Sequence, residues 1–273
     1  MKKFKTLNFR TAAGHRAHAE VNPDAGAIDS FITSLPDIFD TEGTEIFRSR
    51  NTVREIITDG HSYIVKRYRR PSIINRVIYT LLRPSKACRA FRYAFRFNSA
   101  GITTPEALAC VEVRTNGLLS DSYFVSEKCD GQQAFEALVK TPDYDRHLAE
   151  AVAHFILRMH RAGIIHGDPN LKNFLYDTAA DGNYQLQVID INRSAFADTL
   201  TRRQIVHNLS RVTHRRDLLA VITGIYAAEA GLGQQQLIDD VVRSVKRIER
   251  NRERRHAIKR LFTSSKSLFN NKC

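Results

Sequence analysis

Three oxygen-bearing side chains near the middle of the sequence, Asp168, Asn173 and Asp190, have types and spacing suited to handling a phosphate group. Asp168 and Asn173 share the segment Ile164-Ile165-His166-Gly167-Asp168-Pro169-Asn170-Leu171-Lys172-Asn173. The apolar run Phe174-Leu175-Tyr176 follows it, and Leu186-Gln187-Val188-Ile189 leads into Asp190. Residues 174–176 and 185–189 pair naturally as an antiparallel hairpin around Asp181-Gly182-Asn183. In such a hairpin the start of the first strand lies beside the end of the second, which puts Asn173 next to Asp190. An amide oxygen and a carboxylate are hard ligands that suit magnesium carried on substrate phosphates. Asp168, on the same loop, is placed to accept a proton from an attacking hydroxyl. The competing reading is a plain turn or helix cap, because Asp-Pro-Asn is turn-like. His166 reads as a hydrogen-bonding residue of the loop rather than a base.

Phosphate chemistry also needs fixed positive charge. Lys66, in Tyr63-Ile64-Val65-Lys66, is the candidate, lying inside a strand that returns from the Asp59-Gly60 turn. The preceding turn, Arg48-Ser49-Arg50-Asn51-Thr52, contains no glycine. Its backbone amides and the polar groups of Ser49, Asn51 and Thr52 are the expected cover for a phosphate.

The elements that must hold these residues follow from pattern. Val53, Ile56 and Ile57 mark a strand, and Asp59-Gly60 and Asn116-Gly117 are hairpin signals. Residues 85–100 read as a helix stopped at Gly101, Pro105 to Val113 and Tyr123-Phe124-Val125 as strands. From Asp143 to Ala162, Leu148, Val152, Phe155, Ile156 and Met159 form a helical stripe that ends at Gly163. Residues 200–262 read as two or three helices broken near Gly231 and Gly233. Strands early and helices late predict an α+β protein with a β-rich first lobe and a helical second lobe. The expected division is an N-terminal extension at 1–40, lacking clear periodicity, a first lobe at 41–130 and a second at 131–273.

Composition sets outer limits. At 273 residues and 42% hydrophobic, the chain is long enough for a sizeable core and too apolar for general disorder. No stretch approaches a membrane span and no apolar signal segment follows the basic start, so a cytoplasmic protein is expected. Cys88, Cys110, Cys129 and Cys273 fit no CxxC pair or zinc set, and reduced thiols are expected. The net charge of +13 calls for an anionic partner. Ten Lys and Arg fall between His61 and Pro105, where no Asp or Glu occurs. A second basic run, Arg243 to Arg260, is diluted by Glu249 and Glu253. Without a finger, an RNP motif or a clear helix-turn-helix, nucleic acid is not the expected partner.

The HxDxxxxN spacing followed by a metal-binding Asp matches the catalytic loop of protein-kinase-like enzymes. Within that superfamily the sequence resembles the lipopolysaccharide kinase (Kdo/WaaP) family. The resemblance is carried by Arg50-Asn51-Thr52, Tyr63-Ile64-Val65-Lys66, Gly101-Ile102-Thr103-Thr104-Pro105-Glu106, Ser122-Tyr123-Phe124-Val125-Ser126, His166 to Phe174 and Ile189-Asp190-Ile191-Asn192-Arg193. It spans about residues 46–195 and implies a two-lobed protein-kinase-like fold. It also implies transfer of the ATP γ-phosphate, with magnesium, to a sugar hydroxyl of the lipopolysaccharide inner core. The implied acceptor is 3-deoxy-D-manno-octulosonic acid (Kdo) on lipid A, or a heptose. By position, Asp168 would be the base, Asn173 and Asp190 the metal ligands, and Lys66 the phosphate-binding lysine. Such a substrate would give the basic first lobe a meaning at an anionic inner membrane face.

The sequence departs from protein kinases in three places. The phosphate turn lacks glycine. The 85–100 helix has no acid to pair with Lys66, leaving Glu55 as a substitute and Glu106 too late in the chain. His-Gly-Asp lacks the Arg of His-Arg-Asp, and no Ala-Pro-Glu follows Asp190, so control by activation-loop phosphorylation is not expected. A kinase of another small hydroxyl substrate and a nucleotide-binding pseudokinase scaffold are the alternative readings.

Overall fold

The computed structural model describes residues 3–270, with side chains through residue 257. Cα packing divides the chain into two compact units. The first comprises residues 1–134, 166–168 and 172–196 and the second comprises 135–165, 169–171 and 197–273.

The first unit is built on a seven-stranded antiparallel sheet. In chain order its strands are β1 (Lys5–Arg10), β2 (Arg16–Val21), β3 (Thr44–Arg48), β4 (Thr52–Thr58), β5 (His61–Tyr68), β6 (Ala107–Thr115) and β7 (Leu118–Glu127). Their order across the sheet is β1-β2-β6-β7-β5-β4-β3. Two of its turns are the hairpin signals of the sequence. Asp59 and Gly60 have φ of 51° and 77°, and Asn116 and Gly117 have 54° and 77°. Positive φ at both central residues is the twist-matched turn that Asp-Gly and Asn-Gly favour.

The first 40 residues differ from expectation. They form β1, β2 and α1 (Asp29–Ile38), parts of the same sheet and core rather than an extension. Short strands of mixed polarity, with only one face buried, hide the period in β1 and β2. Pro36 falls inside α1 and argues against a helix when read in sequence. Yet Phe31, Ile32, Leu35 and Phe39 sit in the core with Val65, Val111 and Val125 of the sheet.

Helix α2 (Ile73–Leu81) and helix α3 (Lys86–Ser99) follow β5. Ser85 caps α3 by accepting from the Cys88 N–H, and Gly101 with φ of 70° ends the turn beyond it. The unit is completed by β8 (Gln132–Gln133), β10 (Phe174–Thr178), β11 (Tyr184–Val188) and β12 (Ala195–Phe196), with β10 hydrogen-bonded between β11 and β8.

The second unit holds α4 (Ala134–Val139), α5 (Arg146–Arg161), β9 (Ile164–Ile165), α6 (Arg202–Leu209), α7 (Arg216–Glu229) and α8 (Gln234–Asn270). Asp145 caps α5 through the Leu148 N–H at 3.0 Å. The expected stripe of α5, Leu148, Val152, Phe155, Ile156 and Met159, is buried. The break between α7 and α8 falls at residues 230–233, as the glycines there imply. Cys88, Cys110 and Cys129 are free thiols, whereas Cys273 lies outside the described residues. No helix among the described residues is long and apolar enough to cross a membrane.

Candidate active site

The loop carrying Asp168 and the β10–β11 hairpin belong to the sheet-bearing unit, not to the helical one as the expected boundary at residue 130 implied. The hairpin register is Phe174 opposite Val188, Tyr176 opposite Leu186 and Thr178 opposite Tyr184. The Ile189 N–H extends the ladder by donating to the Asn173 carbonyl at 3.0 Å. Asn173 is thereby fixed beside the residue that precedes Asp190. Asp190 turns out of the strand in a left-handed conformation, φ 58° and ψ 40°, uncommon for a residue with a side chain. Asp tolerates that region better than most, which explains how the chain can reverse here at a carboxylate.

His166 ties the two segments together. It is fully buried, its Nε2 donates to the Ile189 carbonyl at 3.0 Å, and its Nδ1 accepts the Asp168 N–H at 3.1 Å. One nitrogen donating and one accepting is the bonding of a neutral ring. Burial pushes its pKa down, against the opposing pull of the Asp190 and Asp168 carboxylates. Both carboxylates therefore lie close enough to be felt at one imidazole. His166 has the orienting role read from the sequence. Gly167 is required sterically: a Cβ there would lie 2.2 Å from the Arg193 carbonyl oxygen.

Asn173 closes the loop on itself, its Nδ2 donating to the Asp168 carbonyl at 2.9 Å. With the amide nitrogen so committed, Oδ1 is the atom left as a hard donor. Asp190 Oδ1 accepts from Lys66 Nζ at 2.8 Å, and Asn192 Nδ2 donates to the same oxygen. Among the described residues no three His, Cys, Asp or Glu gather as a metal site. A magnesium held chiefly by nucleotide phosphates needs only one or two protein oxygens, and Asn173 with Asp190 fits that donor set.

Lys66 stands in the middle of β5, between Val53 of β4 and Phe124 of β7. Its side chain is 17% exposed and lies 5.3 Å from the centre of the Tyr68 ring. The acid it pairs with is Asp190. Glu55, the expected substitute partner, accepts instead from Ser62 Oγ at 2.6 Å and Lys128 Nζ at 2.9 Å. Glu106 accepts from Asn22 Nδ2. The glycine-free turn is less well gathered. Asn51 Oδ1 accepts the Arg69 N–H at 3.1 Å, and the Ser49 N–H donates to the Asn51 carbonyl. Thr52 lies opposite Arg67, one residue on from Lys66, so the pleat sends Thr52 to the other face of the sheet. The structure thus brings Lys66, Asp168, Asn173 and Asp190 into one connected set and leaves Ser49, Asn51 and Thr52 apart from it.

Asn192 was missed in sequence. It is 3% exposed, and it bonds both Asp190 and the buried Tyr68 hydroxyl. The Ile-Asp-Ile-Asn-Arg block was its only signal. Lys86 and Arg89, two of the ten cations counted between His61 and Pro105, stand on α3 where an acid was sought.

Known proteins resemble the chain in family and in fold. The profile described as "Lipopolysaccharide kinase (Kdo/WaaP) family" matches residues 41–223. Lipopolysaccharide core heptose(I) kinase WaaP of Pseudomonas aeruginosa is 29% identical over 168 residues, 56% of this chain and 62% of that protein. The 3-deoxy-D-manno-octulosonic acid kinase of Xylella fastidiosa is 28% identical over 163 residues, 58% of this chain and 62% of that protein. The chain thus spans a little under two thirds of the length of these relatives. A solved structure of WaaP in complex with acyl carrier protein superposes with a TM-score of 0.54 at 20% identity, covering 81% of this chain and 91% of that one. At that identity the likeness is one of fold, and the fold is the α+β, protein-kinase-like class expected from the sequence.

Proposed function

Because the chain belongs to the lipopolysaccharide kinase (Kdo/WaaP) family, we propose that it is a phosphotransferase that moves the γ-phosphate of ATP to a sugar hydroxyl of the lipopolysaccharide inner core. Kdo attached to lipid A is the proposed acceptor. The observation that carries this reading is the connected set of Lys66, Asp190, Asn173 and Asp168: Lys66 bonds Asp190 at 2.8 Å, Asn173 bonds Asp168 at 2.9 Å, and the Ile189 N–H ties Asn173 to the residue before Asp190 at 3.0 Å.

In this reading Asp168 accepts the proton of the acceptor hydroxyl as its oxygen bonds to the γ-phosphorus and the bond to ADP breaks. The loop geometry suits the role, because Asp168 is fixed from both sides: its N–H by His166, its carbonyl by Asn173. Lys66 supplies positive charge to the nucleotide phosphates, and its pairing with Asp190 aims both groups without an acid on α3. Asn173 and Asp190 would hold magnesium, which when bound would supply positive charge to the transferring phosphate. Asn192 and His166 position Asp190 and Asp168 rather than touching substrate. The proposed site of action is the cytoplasmic membrane face, where such a glycolipid presents its sugar.

The test is incubation of the purified chain with ATP, magnesium and Kdo-lipid A, with a heptosylated core and a set of soluble sugars alongside. Phosphate should appear on the Kdo-lipid A. Phosphorylation of only a soluble sugar or aminoglycoside would replace the acceptor and keep the chemistry. Nucleotide binding with no transfer to any acceptor would point to a scaffold instead.

A further inference from the structure

Helix α2 is built inside out. Its sequence, Ile73-Ile74-Asn75-Arg76-Val77-Ile78-Tyr79-Thr80-Leu81, carries an apolar stripe of the kind that normally turns to the core. Here Ile73, Ile74 and Leu81, with Leu82 at the C-cap, are 73–81% exposed, and no residue of the helix is buried. The polar side does the anchoring. Arg76 Nε donates to the Leu119 carbonyl at 2.7 Å, and Nη2 reaches the Thr115 carbonyl at 3.2 Å. Thr80 Oγ1 accepts the Leu119 N–H at 3.0 Å and donates to the Arg76 carbonyl at 2.7 Å. The helix is thus bonded to the rim of β7 through its polar groups, and four large aliphatic side chains face water. Contiguous apolar surface of that kind marks something that covers it.

The charge around the helix identifies the cover. A cavity of about 590 Å³ lies beside α2, lined in part by Tyr68, Arg69, Arg70, Ser72, Tyr79 and Lys86. Behind two of those tyrosines lies Arg89, 8% exposed, whose Nε makes no hydrogen bond. Crowded cations repel one another, and an anion in this cavity would offset the charge of Arg69, Arg70 and Lys86. An apolar helix face bordered by a cationic cavity matches a bilayer surface with anionic headgroups, where acyl chains and phosphates are adjacent.

We propose that α2 is an interfacial docking helix: Ile73, Ile74, Leu81 and Leu82 enter the edge of an anionic phospholipid bilayer while Arg69, Arg70 and Lys86 receive a lipid phosphate in the cavity beside it. This extends the kinase reading, since the acceptor proposed there is itself a lipid-borne anion, but the docking step requires neither nucleotide nor turnover.

The test is co-sedimentation of the full chain, without nucleotide, with vesicles of phosphatidylcholine alone or mixed with phosphatidylglycerol. The chain should pellet with the mixed vesicles and stay in solution with the neutral ones. The double variant Ile74→Asp, Leu81→Asp should bind at least about tenfold more weakly, with its circular dichroism and ATP binding unchanged. Arg69→Ala and Arg70→Ala should each weaken binding about fivefold at low salt. Soluble glycerophosphoglycerol is the arm for a free-phosphate source. Three results overturn the proposal: no preference for anionic vesicles at low ionic strength, double-variant binding equal to that of the unaltered chain, or thermal protection by the soluble headgroup without vesicle binding. A dimer dissociated by the double variant also overturns it, because the face would then join two copies of the chain. A chain that pellets with anionic vesicles but transfers no phosphate sinks the catalytic reading and leaves this one standing.

Discussion

Asp168 carries the proton in the proposed reaction, and its backbone, not its carboxylate, fixes its place. Because His166 and Asn173 bond to the N–H and carbonyl, Asp168→Asn should keep the loop in position while removing the base. Turnover should fall about 10²–10⁴-fold, with little change in ATP affinity by equilibrium fluorescence. Lys66→Ala removes the cation that pairs with Asp190, and kcat/KM for ATP should drop about 10²-fold in steady-state assays. Restoration by Lys66→Arg to near the original rate would argue that charge suffices and exact aim does not matter. The HxDxxxxN spacing made Asp168, Asn173 and Asp190 legible in the sequence, because a hairpin converts separation along the chain into adjacency at its open end. Lys66 was legible from its strand, but its partner was not. The search for an acid on the 85–100 helix missed that Asp190 itself supplies one. The turn residues were less legible: polar side chains near a phosphate turn look alike in sequence, and only strand register shows that Thr52 and Lys66 point to opposite faces of the sheet.

At the scale of elements, each unit has one device of close contact. The first is the close approach of the Asp168 loop to the segment after Asp190, where Gly167 leaves no room for a Cβ against Arg193. Gly167→Ala should cost about 1–3 kcal/mol in urea unfolding and remove most transfer activity by displacing Asp168. The second is a buried polar link in the helical unit. His160 of α5 donates through Nε2 to Asn208 Oδ1 and accepts at Nδ1 from the Tyr226 hydroxyl, both at 3.0 Å. Burial pushes its pKa from 6.5 to about 4. Between those values the unfolded chain binds the proton and the folded chain does not, so stability falls as pH is lowered through that window. The loss reaches about 3 kcal/mol by the lower end, with His166 acting in the same direction. Urea titrations at stepped pH should therefore show a shallower slope for His160→Gln than for the unaltered chain, and equal slopes would remove His160 from that role. The hairpins and α5 were readable because Asp-Gly, Asn-Gly and a buried stripe each have a local cause. Helix α2 was not, because its nine residues give too few turns to establish a period.

On the scale of the whole molecule, the sheet extends beyond the region that carries the family pattern. The profile begins at residue 41, yet β1, β2 and α1 supply Ala19, Val21, Phe31, Ile32, Leu35 and Phe39 to the core. Phe39 is fully buried and packs on Tyr123 at 5.3 Å between ring centres. Phe39→Ala should destabilise the first unit by about 3–5 kcal/mol in chemical denaturation, a loss that a loose extension could not produce. This segment was illegible because its strands are short and half-exposed, and β2 joins the rest of the sheet only through a strand far along the chain, where Val21 pairs with Ala109. The +13 charge was readable as a number, whereas the gathering of Arg69, Arg70 and Lys86 around one cavity beside α2 was not. The central claim is that Asp168, Asn173, Asp190 and Lys66 form one phosphate-transfer centre, and single-turnover transfer from γ-labelled ATP to Kdo-lipid A tests it most directly. The unaltered chain should move label to the glycolipid in the presence of magnesium, and Asp168→Asn should bind ATP equally well and move almost none. Equal transfer by both proteins would contradict the account.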